Sequence, residues 1–141
     1  MRLRDLESRM REREWFHSLT VPPGAWTVIR VDGRGFSKFT EPRFDKPFDA
    51  RFSHIMTQVA EHLITELSGR YAYTESDEIS VVLDPSHDMF GREVEKLVSV
   101  SAGIASAAFT HAAGEPAAFD SRIWLGTGTD DVVDYLSWRQ A

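Results

Sequence analysis

Apolar residues recur at Phe52, Ile55, Met56, Val59, Leu63, Ile64 and Leu67, and again at Val94, Leu97, Val98, Ser101, Ile104, Ala105 and Ala108. Both sets follow the i, i+3, i+4, i+7 spacing of a helix with one buried face. Each helical run is bracketed by short segments rich in β-branched residues, and this order restricts the fold more than any other feature of the chain. "AWTVIRVD" at 25–32 reads as a strand ending in an Asp-Gly turn signal, "RYAYT" and "EISVVLD" as a hairpin, and "SRIWLG" at 121–126 as a fourth strand. Gly69 closes the first helix, which follows a loop containing Pro42 and Pro47, and Gly114 with Pro116 closes the second, over about 90–111.

The resulting β-α-β-β-α-β order is that of a ferredoxin-like α+β fold, an antiparallel sheet with both crossover helices on one face. The 141 residues suit a single domain. A leading helix over 2–19, in which Leu3, Leu6 and Met10 share one side, precedes a core over 25–126. A short helix over 130–139, capped by Thr129 or Asp130, follows it. This topology sets strands one and three side by side, so Asp32, ending the first, is expected beside Asp77 at the hairpin tip.

Glu75, Asp77 and Glu78 stand almost together at that tip. Carboxylates a few ångströms apart raise one another's pKa unless a cation neutralises them, and Mg²⁺ favours such oxygen ligands. Two such ions stabilise the attacking and leaving oxygens of a phosphoryl transfer. Singly, each acid reads as a solvated turn residue; their convergence on Asp32 turns the expectation to a nucleotide-handling metal site. Gly33 fits that expectation, because the lack of a Cβ lets backbone groups approach a metal or phosphate.

Composition narrows the chemistry further. There is no cysteine, hence no disulfide, thiol nucleophile or Cys-based zinc site. A net charge of -6 argues against coating nucleic acid by bulk charge, yet Arg30, Arg34, Lys38, Arg43, Lys46 and Arg51 cluster in one segment that can form a phosphate-friendly face. Lys46 and Lys96 are candidates to neutralise a triphosphate. Phe36, Phe39 and Phe44 interleave with these cations, as core anchors or as a stacking surface for a base. The five histidines form no ligand set, no serine has a His-Asp partner, and neither a Walker loop nor G-x-G-x-x-G is present. No apolar run is long enough to cross a bilayer and the charged N-terminus lacks the apolar core of a secretory signal, so a cytoplasmic location is expected.

"RVDGRGFSKF" at 30–39, "FDKPFD" at 44–49, "YAYTESDEISVVL" at 71–83 and "DYLSWRQA" at 134–141 resemble, in this order, the tRNA-His guanylyltransferase family of 3′-to-5′ nucleotide polymerases. The likeness covers about residues 14–141, and the R-x-D-G-R-x-F and S-D-E motifs are specific as a pair. The resemblance implies a polymerase-palm domain. It also implies an enzyme that activates the 5′ end of tRNA with ATP and then adds GTP or another nucleotide there, to mature tRNA-His or to repair 5′ ends. Asp32 and Asp77 would bind two Mg²⁺ ions, with the Gly33 carbonyl as a further ligand and Glu78 close by as a catalytic acid. Ser76, Lys46 and Lys96 match positions that contact the nucleotide triphosphate, Phe44 one that packs on its base, and Arg92 a basic position; with Arg34 these make up the expected nucleotide-binding set. Glu93 departs from the family, which often has a second basic residue there.

In the family, the segment matching "YLSWRQ" is followed by a His-x-x-Asn motif and a further helical region, whereas this sequence stops at Ala141. It looks like a catalytic core without that part. The family's similarity also implies a homo-oligomer, dimer or tetramer, with tRNA as partner. Two alternatives stay open: a core that binds nucleotide and metal without transfer, and a palm-type nucleotide cyclase, since cyclases carry a related acidic hairpin.

Overall fold

The computed structural model describes residues 2–44 and 49–141. Its elements run α1 (Leu3–Arg11), a 3₁₀ turn (Trp15–Ser18), β1 (Trp26–Gly33), α2 (Phe36–Thr40), α3 (Ala50–Glu66), β2 (Tyr71–Glu75) and β3 (Glu78–Leu83). A second 3₁₀ turn (Met89–Arg92), α4 (Val94–Ala113), β4 (Phe119–Gly126) and α5 (Thr129–Gln140) complete it. Among the described residues four strands form one sheet in the order β2-β3-β1-β4, and every neighbouring pair is antiparallel. This is the expected α+β arrangement, with β1 and β3 at its centre.

Strand alternation sorts the sheet into two faces. Ile29, Val31, Ile79, Val81, Leu83 and Phe119 join the buried residues of α3 and α4 in the main core. A dense aromatic cluster closes one end of it: Phe36 lies 5.0 Å, centroid to centroid, from both Phe109 and Phe119. Phe36 is thus a core anchor, and Phe39 stacks on it at 5.4 Å. On the opposite face Val28 and Val82 pack with Val132 and Tyr135 of α5, flanked by Trp26 and Trp124.

Five features differ from the sequence reading. The second crossover helix, expected from about 90, starts at Val94, because Phe90, Gly91 and Arg92 take positive φ in the 3₁₀ turn before it. The leading helix ends at Arg11 and buries no residue, and a separate 3₁₀ turn at Trp15–Ser18 follows before the chain extends at Leu19. Leu19 O accepts from Val94 N at 2.9 Å and Val21 N donates to Arg92 O at 2.8 Å, which fixes that segment against α4. Part of the expected loop folds as α2. β4 starts two residues early, at Phe119. Helix α5 is capped by neither Thr129 nor Asp130: Asp131 instead accepts from the backbone N of Thr127 at 2.7 Å and its Oγ1 at 2.8 Å. Those bonds hold the Asp131 carboxyl below the usual carboxylate range.

At the end of α3, Ser68 takes a positive φ of 54° and Gly69 N bonds back to Ile64 O at 2.9 Å. Gly69 is needed for space: a Cβ there would lie 2.5 Å from Val81 Cγ1.

Candidate functional site

Register builds the site. Asp32 on β1 lies across from Glu78 on β3 and from Asp120 on β4, while Glu78 lies across from Glu75 on β2. Residues directly opposite share a face, so Glu75, Glu78, Asp32 and Asp120 form one acidic row across all four strands. Two residues along each strand, Tyr73, Ser80, Arg30 and Arg122 form the next row on the same face. Asp77 sits in the two-residue turn at the edge of the acidic row. Its carbonyl accepts from Gly33 N at 3.0 Å, which ties the hairpin tip to the end of β1. Two acids forty-five positions apart are brought together as the topology requires.

The electrostatics follow from this crowding. Burial pushes the Asp32 carboxyl above its ordinary value, and the negative charges of Asp120 and Glu78 push it further, against the partial relief of Arg30 and Arg122. Asp77 is raised by burial and then by Asp32, partly offset by a backbone hydrogen bond. Arg139 near the end of α5 grips Glu78: its Nε donates to Oε2 at 2.9 Å and its Nη2 donates to Oε1. Oε2 of Glu75 is buried with no hydrogen-bond partner among the described residues.

A divalent cation fits this donor set. Among the described residues no three His, Asp or Glu side chains close around an ion-sized space. Mg²⁺ does not require that, since it is commonly held by one or two carboxylates completed by water and substrate phosphates. Asp32 and Asp77 supply two hard oxygen donors whose mutual repulsion a cation would relieve.

The steric reason for Gly33 differs from the expected one. A Cβ there would lie 2.4 Å from the ring of Phe36, so the glycine lets the aromatic cluster pack directly under the end of β1. Ser76 is exposed at the hairpin tip with φ of 53°, an uncommon conformation for a residue with a side chain. Arg34 is exposed just beyond β1 and its backbone N donates to Ala118 O at 2.8 Å.

The other predicted contacts are not all gathered here. Phe44 is 8% exposed, edge-on to Phe52 and under the Arg51 guanidinium, and borders a cavity of about 470 Å³ with Arg43, His54 and Glu115. Lys46 lies outside the described residues. Lys96 is exposed on the first turn of α4, whereas Thr110 near the other end of that helix anchors the segment leading into β4. Between the two, Ser101 bonds through its Oγ to Ser121 Oγ at 2.7 Å, next to Asp120 on β4. Arg92 is committed elsewhere: it donates to the carbonyls of Val21 at 3.1 Å, Pro85 at 3.0 Å, His87 at 2.7 Å and Pro22 at 2.7 Å. These four bonds make it a clamp between loops rather than a free phosphate ligand.

Sequence reasoning missed Asp120, Arg122 and Arg139 as members of this face. The signal was the alternation D-x-R-x-W at 120–124, which is legible only once β4 is started early enough to include Asp120.

The sequence model for the family described as tRNAHis guanylyltransferase (Thg1) matches residues 7–127. The chain is 35% identical over 133 residues to a probable tRNA(His) guanylyltransferase of Mus musculus, covering 86% of this chain and 45% of that protein. It is 37% identical over 131 residues to the tRNA(His) guanylyltransferase of Neurospora crassa, covering 84% of this chain and 45% of that protein. Its fold superposes on a bacterial tRNA(His) guanylyltransferase-like protein in complex with GTP, with a TM-score of 0.88 and 28% identity over 96% of this chain and 65% of the other. The ATP complex of a bacterial tRNA(His) guanylyltransferase-like protein gives a TM-score of 0.86 at 27% identity, over 96% of this chain and 65% of the other. The chain thus spans about 45% of the length of the two curated relatives. The matched segment holds the whole sheet and the acidic row on it, and the chain belongs to the tRNA-His guanylyltransferase family.

Proposed function

We propose that the chain is a Mg²⁺-dependent nucleotidyltransferase that adds GTP or another nucleotide to the 5′ end of tRNA. The observation that carries this is the meeting of Asp32 and Asp77, both held above the ordinary carboxylate range, at the tied ends of β1 and the β2–β3 hairpin. Membership of the family and the similarity to proteins solved with GTP and with ATP support it.

In this reading Asp32 and Asp77 hold two Mg²⁺ ions, with the Gly33 carbonyl beside them. Bound there, the metal supplies positive charge to the phosphoryl oxygens and orients the attacking and leaving groups. Ser76 offers a hydroxyl at the hairpin tip to a triphosphate, and Arg34 a free cation next to it. Phe44 presents the rim of its cavity to a base, and Lys46 and Lys96 add positive charge to the phosphates. Arg92 is left out of the set because its guanidinium is already bonded to four carbonyls. Activation of the tRNA by ATP precedes addition of the nucleotide. Assembly into a homo-oligomer belongs to the same reading, supported by the apolar surface of Leu3, Met10, Trp15, Phe16 and Leu19, which the single chain leaves exposed.

Incubation with 5′-monophosphorylated tRNA, ATP, Mg²⁺ and labelled GTP tests the proposal. Label in the tRNA is the expected result. Tight GTP-Mg²⁺ binding in calorimetry without label transfer would instead identify a binding core, and a cyclic product from GTP alone a cyclase.

A further inference from the structure

Sheet register sets Glu78 between Asp32 on β1 and Glu75 on β2, and α5 brings Arg139 onto it. The grip is two-pronged, the geometry in which a guanidinium matches a carboxylate best. Its side chains are 22% and 13% exposed, against 70% and 59% for the surface pair Arg11–Glu7, so water and salt screen it far less.

Arg139 is itself braced. Its guanidinium lies 4.4 Å from the centroid of the Trp138 ring. One turn earlier on α5, buried Tyr135 bonds through its hydroxyl to Ser80 Oγ at 2.7 Å, on the strand that carries Glu78. Because a guanidinium keeps its proton at any working pH, Glu78 is permanently matched. Asp32 and Asp77 have no ion pair of this kind among the described residues.

We propose that Arg139 is a positioning residue of the cation site: by gripping Glu78 from α5 it keeps that carboxylate out of the inner ligands and leaves Asp32 and Asp77 to hold the ion. This rests on the divalent-cation reading above. It makes the last turn of α5 part of the site, and it predicts effects of opposite sign for the two partners. Removing Arg139 adds an unmatched negative charge beside the ion, whereas removing Glu78 adds an unmatched positive one.

Titration of Mn²⁺ alone into the protein, followed by calorimetry, with melting temperatures recorded in metal-free buffer, is the test. A unit charge a few ångströms from a divalent ion changes an affinity about tenfold even in water. Arg139→Gln is therefore expected to bind Mn²⁺ about tenfold more tightly, Glu78→Gln about tenfold more weakly, and the double variant close to the wild type. The double variant leaves neither charge unmatched and keeps the test in force if Arg139→Gln alone does not fold. Unchanged Mn²⁺ affinity in Arg139→Gln, with only the melting temperature lowered, would overturn the proposal and reduce the pair to a structural staple. A double variant as weak as Glu78→Gln would overturn it too, by showing Glu78 to be a ligand itself. A wild type that binds no Mn²⁺, either alone or with GTP present, would remove the cation reading as a whole, an outcome distinct from either.

Discussion

Asp32 and Asp77 work against the stability of the folded chain. Each carboxyl is held above its ordinary value of 3.8, so the folded state binds these protons more tightly than the unfolded chain does. Their contribution is therefore most favourable at acid pH, below 3.8, and is lost as pH rises through the raised values. Ionising them in the folded chain carries a cost that a bound cation offsets. Asp32→Asn is expected to raise the melting temperature by a few degrees in metal-free buffer at pH 7 and to shrink the rise that Mg²⁺ produces in the wild type. A scan of melting temperature against pH, with and without Mg²⁺, checks both. A variant that melts lower than the wild type, or that responds to Mg²⁺ as the wild type does, would contradict the assignment.

At the scale of elements, the hairpin and the two crossover helices were legible because their periodicities are strong and their turn residues local. The start of β4 was not. Asp is a poor strand former, and nothing in "AFDSRIWLG" announces that Asp120 belongs to the ladder. What extends β4 is its partner, since Phe119 and Asp120 pair with Gly33 and Asp32. The acidic row thus gained a member that local pattern could not supply.

Arg92 is the converse case. The family resemblance placed it among the nucleotide contacts, whereas the carbonyls of Val21 and Pro22, some seventy positions earlier, take up its donors. Arg92→Gln is expected to lower unfolding stability by about 1–2 kcal/mol, because it leaves part-buried carbonyls without their donor and loosens the tie between α4 and the start of β1. Mn²⁺ affinity should be unchanged. Denaturant melts paired with metal titration distinguish this clamp from a nucleotide ligand, for which triphosphate binding would fall while stability held.

For the molecule as a whole, residue order alone determined the sheet and the meeting of Asp32 with Asp77, since a β-α-β-β-α-β chain has few ways to pair its strands. The face of the sheet that carries the site was less legible, because α5 contributes to it through single contacts such as Tyr135 with Ser80 and Arg139 with Glu78. Such contacts leave no periodic trace. The exposed Trp15, 75% accessible, and Phe16, 66%, form with Leu19 an apolar surface that a second copy would cover. Light scattering should give the mass of two or more chains, reduced by Trp15→Glu with Phe16→Glu; a monomer in both cases would count against assembly through this surface.

The claim on which the rest depends is that Asp32 and Asp77 jointly hold a divalent ion for nucleotide chemistry. Anomalous scattering from crystals soaked with Mn²⁺ and GTP tests it most directly. The account predicts one or two peaks between the two carboxylates, at about 2.0–2.3 Å from their oxygens, with the triphosphate against them. Bound GTP with no peak there, or a peak held by other residues, would contradict it.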